Sequence, residues 1–283
     1  MTDHPTPDPT GQTTDDRTDR TRSIELEIEV PGNVDEVWET IATGPGITSW
    51  FIPMQVEERE GGKVIMDWGS FGSTTADVVA WEPPHRVVFR GDEDDRSLAY
   101  EWLVEARDGG TCVVRLVNSG FGEGDDWDGQ YHGMAEGWKL FLQHLRLQLT
   151  HFPGRHARAF IPTVGLAGPH DAAWVALCDA LGIAADAAPG DRISTAADAP
   201  RLAGRIETTL ARPATAYLLV LDDPLPGTAF ITVEGEGDQV AASAYLYLYP
   251  DDDHPLPDGI GEQWVAWLNE RCPPIDAGAE LLD

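Results

Sequence analysis

The chain has 283 residues, 42% of them hydrophobic, with 19 basic against 49 acidic side chains and a formal net charge of -30 at pH 7. That length supports one large core or two smaller ones. The acidity is spread along the chain (12 basic and 29 acidic residues in 1–150, 7 and 20 in 151–283), and a field of this sign repels phosphate backbones and anionic lipid, which argues against nucleic acid and membrane surfaces as partners.

Residues 1–22, rich in Thr, Asp and Pro, read as a disordered N-terminal tail. They contain no apolar run of the kind a signal peptide needs. No stretch approaches 18 consecutive apolar residues, so no membrane insertion and a cytoplasmic location are expected. From Ser23, "SIELEIEV" alternates: Ile24, Leu26, Ile28 and Val30 point one way, Glu25, Glu27 and Glu29 the other, which predicts a strand with one wet face. Asn33 and Glu36 form a capping-box pair for a helix carrying Val34, Val37, Trp38 and Ile41. Gly44-Pro45-Gly46 then breaks the chain, read as a sharp bend, and places Trp50 and Phe51 after it.

A series of strands follows, with turn signals between them. "MQVEER" and "KVIMDWGS" flank Gly61-Gly62, "STTADVVAWE" stops at Pro83-Pro84, and "HRVVFR" leads to the acidic turn "GDEDD". "SLAYEWLVEAR" sets Leu98, Tyr100, Trp102 and Val104 opposite Glu101 and Glu105, and "TCVVRLVNSG" sets Cys112, Val114 and Leu116 opposite Arg115. Short turns between consecutive strands imply an antiparallel meander. After the loop "FGEGDDWDG", a helix is predicted from about Gln130 to His151. Its apolar stripe is Tyr131, Met134, Trp138, Phe141, Leu142, Leu145 and Leu149.

Residues 153–168 read as a linker, and 169–283 as a smaller α+β domain. In that domain "DAAWVALCDALGI" and "EQWVAWLNER" are predicted helices. "GRIETTLA", "TAYLLVLDD", "GTAFITVEG" and "QVAASAYLYLY" are predicted strands, in which alternating Tyr and Leu could suit a dimer interface.

A curved sheet wrapped on one helix leaves a hollow that the helix cannot fill, so an apolar cavity is expected in the first domain, residues 23–152. Its candidate lining is Trp50, Phe51, Met66, Trp68, Tyr100, Trp102, Val114, Tyr131, Met134, Trp138 and Phe141. A ligand for such a cavity is a hydrophobic small molecule or lipid.

No GxSxG, HExxH, Walker or dinucleotide-binding glycine pattern occurs in usable context, so no catalytic residue is assigned and a non-enzyme is expected. Convergence of Tyr100, Tyr131 and His132 in the cavity would support a cyclase or hydrolase instead. His132 and His144 read as surface or rim histidines. Cys112, Cys178 and Cys272 show no CxxC spacing, and neither a metal nor a cofactor is expected.

"IEVPGNVDEVWETIATGPGITSWF", "GGKVIMDWG", "ADVVAWEPPHRVVFR", "YEWLVEARDGGTCVVRLVNSGF" and "GMAEGWKLFLQHLRLQL" resemble, in this order, the START-like or SRPBCC superfamily, in the branch of heat-shock-protein-90 ATPase activator homologues. The family's Pro-x-x-x-Val-Trp corresponds to Pro31 to Trp38 with two extra residues, and its Gly-Trp pair to Gly137-Trp138. The resemblance spans about residues 24–151. It implies an α+β helix-grip fold, in which a seven-stranded antiparallel sheet grips a C-terminal helix around a hydrophobic tunnel. The functions it implies are lipid or metabolite binding, aromatic-polyketide cyclisation, or co-chaperone action on a heat-shock ATPase.

Overall fold

The computed structural model describes residues 22–91, 98–122, 124–212 and 214–272. The predicted tail, apart from Arg22, and most of the acidic turn "GDEDD" fall outside these residues.

The first half is built from β1 (Arg22–Pro31), α1 (Val34–Ala42), α2 (Gly44–Thr48), β2 (Met54–Val56), β3 (Lys63–Asp67), β4 (Ser73–Glu82), β5 (Arg86–Gly91), β6 (Ala99–Arg107), β7 (Thr111–Phe121) and α3 (Asp125–His151). The strands form one antiparallel sheet in the order β1-β7-β6-β5-β4-β3-β2. β1 lies along β7 with Ile28 opposite Val114 and Leu26 opposite Leu116, so the apolar sets of both strands fall on one face. That face carries the first core, with Val37, Ile41, Trp50, Trp102, Trp138, Leu142 and Leu145 among its buried members. This is the α+β helix-grip architecture.

The capping box predicted for α1 is present: the Asn33 side chain accepts from the Glu36 amide, and the Glu36 carboxylate accepts from the Asn33 amide. The Gly44-Pro45-Gly46 break is itself a short helix, α2, capped by the Thr43 hydroxyl on the Gly46 amide. Its glycines answer to crowding instead of bending. Neither has a positive φ, and a Cβ on Gly46 would sit 2.0 Å from the Glu39 carbonyl oxygen. α3 starts five residues before the predicted Gln130, inside the stretch read as a loop.

Residues 153–168, expected as a linker, contain two strands, β8 (Arg158–Phe160) and β9 (Thr163–Ala167). They continue into α4 (His170–Leu181), β10 (Arg192–Ser194), β11 (Ala203–Leu210), β12 (Thr215–Asp223), β13 (Gly227–Glu234), β14 (Gln239–Leu248) and α5 (Ile260–Arg271). The second sheet runs β10-β11-β12-β13-β14, and β8 and β9 both pair with β14, one after the other along its length. Pro162, which has no amide hydrogen to donate, falls at the interruption between them. Taken together as a broken first strand, β8 and β9 stand to β14 as β1 stands to β7. The second half thus repeats the path of the first: an opening strand beside the last strand, helix, meander back, closing helix.

The two sheets share α3. Trp138, Leu142, Leu145 and Leu149 face the first sheet. Leu140 and Leu147 pack with Phe152, Leu218, Phe230, Tyr247 and Tyr249 in a separate apolar layer against the second sheet. The opposite face of that sheet, bearing Tyr217, Leu219, Ile231, Leu246 and Leu248, is covered by α4 and α5 through Trp174, Leu177, Trp264 and Leu268. A sheet buried on both faces explains runs such as "AYLLVL" and "AYLYLY", which read as continuous apolar stretches. The Tyr residues of β14 that could have suited a dimer interface meet the chain's own helix. Among the described residues, no helix is long and apolar enough to cross a membrane.

Candidate functional site

Three consecutive residues after α2 join the halves. The Ser49 hydroxyl accepts from the Ala157 amide at 2.8 Å. The Trp50 carbonyl accepts from His144 Nδ1 at 2.8 Å. The Phe51 carbonyl accepts from the Tyr247 hydroxyl at 2.5 Å. His144, expected on the surface, is fully buried, because α3 is covered on both sides. Its Nδ1–H serves Trp50, and its Nε2 receives the Thr228 hydroxyl at 2.8 Å, which fixes a neutral ring. Burial pushes its pKa down to about 4, opposed in part by the Trp50 hydrogen bond.

Held in this way, Trp50 and Phe51 form one wall of a pocket between the first sheet and α3. The other lining residues are Ile47, Met54, Met66, Trp68, Phe89, Tyr100, Trp102 and Trp138. The rings meet mostly edge to face: Trp50 with Trp102 at 5.4 Å, Trp102 with Trp138 at 5.4 Å, Tyr100 with Trp138 at 5.7 Å, and Phe51 with Trp68 at 6.0 Å. The expected open hollow is absent in this conformation. The free volume is about 20 Å³, room for a single water molecule, because Phe51, Trp102 and Trp138 fill the concavity themselves.

Seven of the expected lining residues come together here: Trp50, Phe51, Met66, Trp68, Tyr100, Trp102 and Trp138. Val114 is buried in the sheet core, Met134 is partly buried against it, and neither lines the pocket. Tyr131 packs edge to face on Phe121, and its hydroxyl donates to the Ser23 carbonyl at 3.1 Å. Phe141 lies between the halves, 4.7 Å from Phe51 and 5.4 Å from Phe230. Sequence reasoning missed Ile47, Met54 and Phe89. The alternation of β5 and the pairing of Met54 opposite Met66 carry the signal for two of them.

The pocket walls are apolar, and most polar atoms on them are spoken for. Trp50 Nε1 donates to the Thr40 carbonyl, Trp68 Nε1 to the Thr74 hydroxyl, and Trp138 Nε1 to Asn118 Oδ1. Two donors remain. The Tyr100 hydroxyl and Trp102 Nε1 have no hydrogen-bond partner among the described residues. Burial raises the Tyr100 pKa to about 12, so the hydroxyl keeps its proton and stays a donor. Trp68, a lining residue, leads into the 3-10 turn Gly69–Phe71, which has Gly69 and Gly72 at positive φ and leaves Phe71 47% exposed.

Tyr100, Tyr131 and His132 do not converge. His132 is exposed and lines the cleft on the other side of α3, with Nδ1 2.6 Å from the Asp128 carbonyl; its ring meets that of its neighbour Tyr131 at 5.6 Å, outside the aromatic pocket. The acid–base reading that needed these three together loses its support.

Residues 32–149 match the family described as "Activator of Hsp90 ATPase homolog 1-like protein". No curated protein matches the chain. Among solved structures, CalU16 from Micromonospora echinospora is similar at 23% identity over 47% of this chain and 78% of its own, with a TM-score of 0.39. DynU16, from the dynemicin biosynthetic locus, shares 17% identity over 88% of this chain and 95% of its own, TM-score 0.41. The di-domain ARO/CYC BexL, from the BE-7585A biosynthetic pathway, shares 14% over 90% of this chain and 99% of its own, TM-score 0.43.

Proposed function

Because residues 32–149 form an AHSA-type START-like domain, we propose that the protein is a binding protein for an apolar, ring-bearing small molecule with an oxygen acceptor, held in the aromatic pocket between the first sheet and α3. The observation that carries this reading is the pair of unpartnered donors, Tyr100 Oη and Trp102 Nε1, on otherwise apolar walls. Neither donor is paired within the protein, and a ligand carbonyl in the pocket would give it an acceptor, a gain typical of one neutral hydrogen bond. The walls offer aromatic faces and two methionines, Met54 and Met66, whose side chains repack readily. With about 20 Å³ free, a ligand enters by displacing rings, and Trp68, a partly exposed lining residue, is the point of entry. The pocket presents no nucleophile–base pair, which favours binding over catalysis.

The test is a titration with 2-acetylnaphthalene, a neutral ring system with one carbonyl, followed by quenching of tryptophan emission. Saturable quenching at one site is expected. Tyr100→Phe should weaken binding about five-fold, the worth of one neutral hydrogen bond, and Met66→Trp, which fills the pocket, should abolish it. Absence of saturable quenching, together with unmoved methyl NMR signals of Met54 and Met66, would sink the reading.

A further inference from the structure

The other side of α3 holds a larger space. Gly129, Gly133 and Gly137 recur at every fourth residue and so share one helix face. A glycine inside a helix forfeits about 1 kcal/mol relative to alanine, so three of them need a reason. Crowding is not the reason: a Cβ on any of the three would meet nothing within 4 Å, whereas one on Gly46 would stand 2.0 Å and one on Gly204 2.2 Å from a backbone oxygen. Nor do these three have the positive φ that favours glycine. What lies before them is a cleft of about 630 Å³, within the usual range of about 300–1,000 Å³ for small-molecule sites.

The far wall of the cleft is Ala214, Glu234, Gly235 and Glu236. β13 places Glu234 there. Its residues facing α3 alternate as Thr228, Phe230, Thr232 and Glu234. Thr228 meets His144, Phe230 meets Phe141, and Glu234 reaches the stretch where α3 presents Gly129, Gly133 and Gly137 beside Asp128, His132 and Glu136. Asp128 is paired with Arg22 at 2.6 Å and Glu136 with Lys139 at 2.5 Å. Glu234 has neither an ion pair nor a hydrogen bond among the described residues, and no Lys or Arg lines the cleft. Its enclosure between the second sheet and α3, without a compensating partner, pushes its pKa up to about 7.

We propose that this cleft is a second small-molecule site, separate from the aromatic pocket, for an organic amine cation whose ammonium pairs with Glu234 and whose body lies along the glycine face of α3. An ammonium supplies the charge that Glu234 lacks, as a charge-assisted hydrogen bond. Asp128, Glu136, Glu234 and Glu236, with no Lys or Arg in the lining, leave the cleft net negative, which repels carboxylate and phosphate ligands.

The experiment is calorimetric titration of the whole chain at pH 8 and low salt with 1-naphthylmethylamine, and in parallel with the uncharged 1-naphthylmethanol. The amine should bind once per chain, at least about ten-fold tighter than the alcohol, the usual worth of a charge-assisted hydrogen bond. Glu234→Gln, which keeps the shape, should cost about ten-fold. Gly133→Leu should abolish binding while the thermal midpoint holds or rises, and Met66→Trp should leave amine binding unchanged. Equal binding by the wild type, Glu234→Gln and Gly133→Leu would mean attraction by overall charge and would overturn the proposal. So would loss of binding in Met66→Trp, which would put the amine in the aromatic pocket, or no saturable heat from the wild type up to about 1 mM, the limit of a useful small-molecule affinity.

Discussion

His144 shows how one side chain can report the whole packing arrangement. Its ring is neutral, fully enclosed, and bonded on one side to the Trp50 carbonyl and on the other to the Thr228 hydroxyl. The folded state holds its pKa at about 4, below the ordinary 6.5 of an exposed histidine. A base whose pKa falls on folding binds its proton more readily when unfolded. Its penalty is therefore absent above pH 6.5, grows as pH falls, and is complete below about 4. Over that window the linkage amounts to about 3 kcal/mol of lost stability. Urea unfolding at pH 7 and pH 4.5 should show the loss in the wild type and a clearly smaller one in His144→Gln, which has no proton to gain. Equal losses in both proteins would show that His144 is not the group responsible. This role was not legible in the amino-acid pattern, because a lone histidine on an amphipathic helix reads as a rim residue until the helix proves to have two buried sides.

Two kinds of glycine separate cleanly at the level of the element. Gly46 lets α2 lie against α1, and an added Cβ would stand 2.0 Å from the Glu39 carbonyl and 2.8 Å from the Thr40 Cα, both backbone atoms that have little room to give. Gly46→Ala should cost about 2 kcal/mol, as overpacking of a tight contact does. Gly133→Ala, facing open space in the middle of α3, should instead gain close to 1 kcal/mol from helix propensity. Urea midpoints of the two variants check both signs at once, and a shift in the same direction would contradict one of the two accounts. Elements of this kind were only half legible in the sequence. Alternation in "SIELEIEV" and "SLAYEWLVEAR" located β1 and β6 and their inward faces, and the Asn33–Glu36 pair located the start of α1. Periodicity found one stripe of α3, but Leu140 and Leu147, off that stripe, were unassigned because the pattern was matched to one partner sheet. β8 and β9 were missed for a related reason. They are short, interrupted by Pro162, and gain their ladder only from β14, about eighty residues later.

The whole molecule is two sheets around one helix, flanked by α4 and α5. Leu140, Leu147 and Phe152 are buried only because the second sheet covers them, and Trp138, Leu142 and Leu145 only because the first sheet does. The halves should therefore unfold together. A calorimetric scan should show one transition, with tryptophan emission and far-ultraviolet circular dichroism changing in step. Two resolved transitions would mean that each half stands without the other. Leu147→Ala, which opens a hole in the layer against the second sheet, should lower the single midpoint without splitting it, at a cost of about 2–5 kcal/mol. The aromatic composition of the pocket was legible from β3, β6 and α3, yet its closure was not, since ring-to-ring packing depends on how tightly the sheet curls.

Ser49, Trp50 and Phe51 belong to the first half, but Ala157 and Tyr247 of the second half, with His144 on the shared helix, hold them in place. Phe51 is at the same time a wall of the aromatic pocket. Prising the halves apart thus unseats a pocket wall in the same movement, so whatever the pocket carries would be let go by mechanical separation, with no need for a competing occupant.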